Sequence, residues 1–290
     1  MVTSVSYTEG AMSKTGLADT IGNKSLSVLA NVSTSHLVME PFPHIVVNNP
    51  LPPAYYQELS EQFPSIDCLK KVLRQACLEQ PQNKSLARSL RHLKRSNKRV
   101  NIPSKVALSA ANVPLCWKDF LEYHSSNLFL QDLLTIFRPA IAELYPSFPI
   151  DEAVARRRGE SGDTELTMDA MLALNTPSWR RGEITGPHTD HPRKLFVGLY
   201  YLREPKDTAG GNLILYRRKE TATEKNLKWP DLKTVEEVFT VDYEPNTLVI
   251  LLNGPNSVHG VTTRLRSRYP RRFVNFIVEN RNPLYKVPAA

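Results

Sequence analysis

The chain predicts a mainly β protein with helical support, in which an antiparallel sandwich or barrel from the second half is backed by an α-helical N-terminal half. Two patterns predict this. Beyond about Glu165, short β runs follow one another, separated by turn residues and with no helical stretch between them. Before that point, apolar residues recur at helical spacing over long segments. The 290 residues, 41% of them hydrophobic, suffice for one large domain with a sizeable core.

Residues 1–36 are rich in Ser, Thr, Gly and Ala, and their charges (Glu9, Asp19, Lys14, Lys24) cancel. Such a segment has little to bury and reads as a disordered tail, with an organelle-targeting segment as the rival, although it lacks arginine. A single domain is expected over 37–290, with mostly helical support over 37–165 and the β core over 166–282. MEPFPHIVVNNPLPP holds a short β-branched run between Pro and Asn, and AYYQELSEQFP has helical periodicity. Between Gln80 and Lys118 there is no Asp or Glu, while Arg88, Arg91, Arg95 and Arg99 recur in steps of three and four alongside Leu86, Leu90 and Leu93. This spacing draws a helix with a basic and a leucine face. Its bland role is a solvated face over a packed seam; its sharper one is contact with nucleic acid or an acidic partner. The helical pattern continues through WKDFLEYHSSNLFLQDLLTIFRPAIAELY, after which the β runs are TMDAMLALN, KLFVGLYYL, GNLILYRR, EVFTVDY, TLVILLN and RRFVNFIVEN.

Cys68, Cys77 and Cys116 are odd in number and form no CxxC pair, which argues against a disulfide framework or a thiolate zinc site and suits a reducing, intracellular compartment, most simply the cytoplasm. No run approaches the length of a membrane span. The net charge of +8 attracts anions, whether nucleic acid, anionic lipid or a carboxylate-bearing small molecule.

RRGEITGPHTDHP places His188 and Asp190 two apart, so on an extended chain both side chains project to one side while Thr189 points away. His259 in GPNSVHGV, following the strand TLVILLN, supplies a second imidazole. Two imidazoles and one carboxylate make the facial triad that suits Fe(II), because it leaves coordination positions open. In the final strand, Arg272 alternates with Val274, Phe276 and Val278, while Arg271 alternates with Asn275 and Glu279. A guanidinium on an apolar face is costly unless an anion meets it, so strand parity selects Arg272 over Arg271 as the carboxylate anchor, with an internal salt bridge as the alternative.

Taken in order, AMLALN, RRGEITGPHTD, LFVGLYYL, GGNLILY, EPNTLVILL, SVHGV and RRFVNFIVEN resemble the motif series of the Fe(II)- and 2-oxoglutarate-dependent oxygenases, nearest the prolyl hydroxylase and tailoring hydroxylase branch. That resemblance spans most of Met39–Tyr285 and implies a double-stranded β-helix, or jelly roll. It implies His188, Asp190 and His259 as iron ligands, with 2-oxoglutarate and O2 as cosubstrates. Arg272 and Tyr201 then hold the distal carboxylate of 2-oxoglutarate, and Asn175 stands where the family often has a polar contact. The gap from His259 to Arg272 is longer than is common. The family's chemistry oxidises an unactivated C–H bond by hydroxylation, desaturation or radical cyclisation, as in secondary metabolism. Asp190 argues against halogenation, since halogenating relatives carry a small residue there. Arg180, Arg181 and Arg266 flank the metal motifs and are the candidates for gripping a small anionic substrate. Protein or peptide hydroxylation is the alternative. Nucleic-acid demethylation fits less well, because Val278 stands where base-repairing relatives carry a second Arg.

Overall fold

The computed structural model describes residues 3–4, 24–182, 184–219 and 228–286. Its strands, in chain order, are β1 (Thr3–Ser4), β2 (His44–Asn48), β3 (Arg99–Ile102), β4 (Ala155–Arg157), β5 (Leu166–Asn175), β6 (Thr185–His188), β7 (Lys194–Tyr201), β8 (Leu213–Arg218), β9 (Val235–Val241), β10 (Thr247–Leu252), β11 (His259–Val261) and β12 (Arg271–Asn280). Its α-helices are α1 (Pro53–Glu61), α2 (Ile66–Glu79), α3 (Lys84–His92), α4 (Ser104–Ser109), α5 (Leu115–His124) and α6 (Asn127–Leu144). All six β runs expected after Glu165 form strands.

Two sheets result. The larger runs β1-β2-β10-β7-β12-β5-β3, with β4 pairing β5 off that path; the smaller runs β6-β11-β8-β9. This arrangement of mixed sheets and helices is compatible with a jelly-roll core. Pairings are antiparallel except β1 with β2 and β4 with β5.

The central strands of the larger sheet are apolar at nearly every position because both of their faces are covered. Leu172, Leu174, Tyr200, Leu248, Ile250, Val274, Phe276 and Val278 face the helices and join Trp117, Phe120, Phe129 and Phe137 in the main core. The alternate residues Ala173, Leu199, Tyr201, Val249, Leu251 and Phe273 join Leu213, Leu215 and Tyr243 in a second cluster on the side of the smaller sheet. Gly198 lets β7 lie between its neighbours, since a Cβ there would stand 3.0 Å from Ile250 and 3.2 Å from Phe276.

Two local expectations change. The basic helix ends at His92, so Arg88, Arg91 and Arg95 are exposed while Leu86 is buried, and Arg99 belongs to β3. The chain is packed from before residue 36: Ser27, Val28 and Leu29 are buried, and the Val28 amide donates to His124 Nε2 at 3.1 Å. Residues 1–2 and 5–23 of the expected tail lie outside the described residues. No helix among the described residues is long and apolar enough to cross a membrane.

Candidate metal centre and carboxylate pocket

β6 and β11 pair so that His188 and His259 stand directly opposite each other. Gly260 makes this approach possible, because a Cβ there would meet the Gly186 backbone at 3.2 Å. The two imidazole centroids are 4.4 Å apart. Each Nδ1 lies beside a carbonyl two residues upstream: His188 with Gly186 O at 3.0 Å, His259 with Ser257 O at 2.9 Å. A carbonyl can only accept, so each Nδ1 carries a hydrogen, which leaves Nε2 as the lone-pair nitrogen of the neutral ring. Ligating imidazoles are oriented by this kind of contact.

Asp190 completes the group. Its Oδ2 lies 3.5 Å from His259 Nε2, and its Oδ1 accepts from Lys194 Nζ at 2.6 Å. Burial alone would raise the Asp190 carboxyl, but Lys194, His259 and His188 hold it well below the usual carboxylate range. Burial, reinforced by the neighbouring His259, pushes His188 down to about 4. At neutral pH the site therefore presents a neutral His188 ring and an ionised carboxylate. Among the described residues, no group of three or more His, Cys, Asp and Glu side chains closes into a ring around an ion. The three converge without closing, and an ion would share Asp190 with Lys194. Two imidazole nitrogens and one carboxylate are nonetheless a donor set that fits a divalent iron. On the outer side of His188, the Trp229 ring stacks at 5.2 Å with an interplanar angle of 25°.

The triad borders a cavity of about 310 Å³ between the sheets. At its far end is Arg271, only 2% exposed. Its Nε donates to Gly211 O at 2.8 Å, and its guanidinium carbon is 4.9 Å from each of the Tyr201, Tyr243 and Phe273 ring centroids. Neither Arg271 Nη2 nor the Tyr201 hydroxyl finds a hydrogen-bond partner, although both are buried. Burial raises the Tyr201 phenol, an effect that Arg271 and then Arg99 oppose. A buried cation beside an unsatisfied hydroxyl suits the oxygens of a carboxylate. Gly211 is needed here: its φ is +93°, and a Cβ would stand 3.0 Å from Arg271 Cδ and Nε.

Arg272 occupies the opposite face. Its Nε donates to Leu202 O at 3.0 Å, its Nη atoms donate to Ser60 O and Ser60 Oγ at 3.2 Å each, and Glu204 pairs with it at 3.0 Å. Parity sorts the strand correctly, but the cavity takes the face bearing Arg271, Asn275 and Ile277, whereas the more apolar face packs on the helices. Arg272 thus ties β12 to α1 and does not meet the cavity. Asn175 lines the cavity and is 3% exposed. Arg180, Arg181 and Arg266 are exposed, and none of them lines it. Lys98, Arg99, Lys194 and Arg271 are its positively charged lining residues among those described. Lys194 follows the HxD turn closely in sequence, as the first residue of β7. Arg99 was masked by the helical spacing of the arginines before it.

No protein-family model matches the chain, and no curated protein matches it in sequence. Among solved structures it is similar to a prolyl hydroxylase from Trichoplax adhaerens in complex with a hypoxia inducible factor oxygen degradation domain peptide (13% identity, 91% of this chain and 92% of that one, TM-score 0.38). It is also similar to a Pseudomonas putida prolyl-4-hydroxylase (13% identity, 95% and 97% covered, TM-score 0.37) and to a rice dioxygenase for auxin oxidation (14% identity, 85% and 76% covered, TM-score 0.38).

Proposed function

We propose that the protein is an Fe(II)- and 2-oxoglutarate-dependent oxygenase that oxidises an unactivated C–H bond of a small carboxylate-bearing metabolite. The observation that carries this is the placing, in one cavity, of a two-histidine, one-carboxylate group and a buried arginine with an unsatisfied Nη2 beside an unsatisfied tyrosine hydroxyl. His188, Asp190 and His259 would hold the iron, which supplies the oxidising chemistry when bound. Gly186 O and Ser257 O anchor the Nδ1 side of each imidazole, and Lys194 keeps Asp190 ionised. Arg271 supplies a fork for the distal carboxylate of 2-oxoglutarate, Tyr201 donates its hydroxyl to the same group, and Asn175 stands beside them as a polar contact. Val197, Leu199, Leu213, Val249 and Leu251 exclude water along the remaining wall.

Release of succinate from 2-oxoglutarate, with Fe(II) and O2, tests this reading. Wild-type protein should produce succinate, slowly alone and faster with acidic amino-acid derivatives, while Asp190→Ala should produce none. Equal succinate from both proteins would refute it.

A further inference from the structure

We infer that the cavity binds a second anionic group besides the one at Arg271, and that Arg99 grips it as the carboxylate of the substrate. The inference rests on the oxygenase reading for the occupant of Arg271 alone. β3 and β12 flank β5, and Arg99 and Arg271 both register with Asn175. Neighbouring strands lie about 4.8 Å apart, so the two arginine backbones stand roughly 10 Å apart in one cross-strand row. Their side chains converge over the same aromatic ring: each guanidinium carbon is 4.9 Å from the Phe273 centroid. Like charges brought together within a cavity require anions to offset them.

The cavity supplies only part of that compensation, through Asp190. Among its described lining residues the one acid is Asp190, and Lys194 already holds one of its oxygens. Arg99 Nε donates to Asn101 Oδ1 at 3.1 Å, which orients the fork and leaves its two ends for a ligand. On the oxygenase reading, 2-oxoglutarate engages the metal and Arg271, so both of its carboxylates are accounted for and Arg99 remains over.

Depth orders the two sites. Both line the cavity, but Arg271 is only 2% exposed whereas Arg99 is an exposed residue. The later-binding ligand would therefore meet Arg99, with the amides of Asn97 and Asn101 beside it as donors and acceptors. A volume of about 310 Å³ is at the lower end for ligand pockets and leaves room for a small acid beside the cosubstrate. The chemical class is a small carboxylic acid bearing further hydrogen-bonding groups, such as an amino-acid derivative.

Arginine side-chain NMR on the full-length, Zn(II)-loaded protein tests this without turnover. The Nε–H signals of Arg99 and Arg271 are assigned from Arg99→Gln and Arg271→Gln, and the probes are 2-oxoglutarate, acetate and acetamide. Addition of 2-oxoglutarate should move Arg271. With 2-oxoglutarate saturating, acetate should then move Arg99 saturably, whereas uncharged acetamide should not. Arg99→Gln should weaken acetate at least tenfold and change 2-oxoglutarate affinity less than twofold, which also shows that the variant is folded. Three results overturn the inference: acetate leaves Arg99 unmoved, acetamide moves it equally, or 2-oxoglutarate moves Arg99 and blocks acetate. If acetate moves Arg99 but 2-oxoglutarate moves neither arginine, the anion site stands and the oxygenase reading falls.

Discussion

Arg271 and Arg272 differ by one position, yet a strand's period of two sends them to opposite faces of the same sheet. Parity was legible in the alternation of RRFVNFIVEN, but which face meets the cavity was not. Both faces are buried, and the cavity takes the side on which polar Asn275 interrupts the apolar row. The two arginines make separate predictions. Arg271→Leu should weaken 2-oxoglutarate binding by about 2–5 kcal/mol, the range for losing one partner of a buried charge-assisted pair. Arg272→Leu should leave that affinity within about threefold and lower unfolding stability by about 1.5–3 kcal/mol, through the loss of charged hydrogen bonds to Ser60 and Leu202. Calorimetric titration and urea denaturation of the two variants read these effects, and a larger binding loss in Arg272→Leu would reverse the assignment. His188 and Asp190 stood out in sequence because a spacing of two puts both side chains on one side of an extended chain, and His259 because SVHGV takes its place in the ordered motif series; the structure brings the three side chains to one cavity. Arg99 did not stand out, since only tertiary pairing removes it from the helical arginine series.

At the scale of elements, the turn before β8 and the contact between α5 and the chain around Val28 carry separate consequences. Gly211→Ala would place a methyl group on a backbone at φ +93° and against Arg271. It should cost roughly 1–3 kcal/mol of stability through backbone strain and should weaken 2-oxoglutarate binding by displacing the Arg271 fork. A variant with wild-type affinity would show that the fork tolerates the shift. His124 is buried, accepts from the Val28 amide through Nε2 and directs Nδ1 at Phe120 O at 2.7 Å. Burial, partly opposed by that carbonyl, lowers it from 6.5 to about 3. The unfolded chain therefore takes up a proton below about pH 6.5 while the folded one stays neutral. The stability contributed by His124 is full above that pH and declines as pH falls from 6.5 towards 3, by up to about 1.4 kcal/mol per unit. Urea midpoints at pH 7.5 and 5 should fall less in His124→Gln than in wild type; an identical fall would exclude His124 as the cause.

Across the whole molecule, the sheet-forming residues were readable because strands buried on both faces become continuous apolar runs, and turn residues punctuate them. β6 and β11 are short, and their edges carry the metal candidates, so no run announced them as strands. The excess of positive charge was evident, but its placement was not. Arg264, fully buried, is spent on Asp207 at 2.7 Å, and Arg193 on Glu279 at 3.1 Å, whereas Arg99 and Arg271 meet the cavity. Since the cavity lies between the two sheets, ligands that bind it should stabilise the entire fold. Metal with 2-oxoglutarate at 100 times its dissociation constant should add about 2.7 kcal/mol, a rise in melting temperature of about 4 °C. No shift in wild type, or the same shift in Asp190→Ala, would mean that the triad does not hold the ligand. The most direct measurement is an anaerobic calorimetric titration of 2-oxoglutarate into the protein with and without Fe(II). Binding of one equivalent that requires Fe(II), and that is lost in both Asp190→Ala and Arg271→Leu, is the predicted result; binding that is indifferent to Fe(II), or that survives both substitutions, would contradict it.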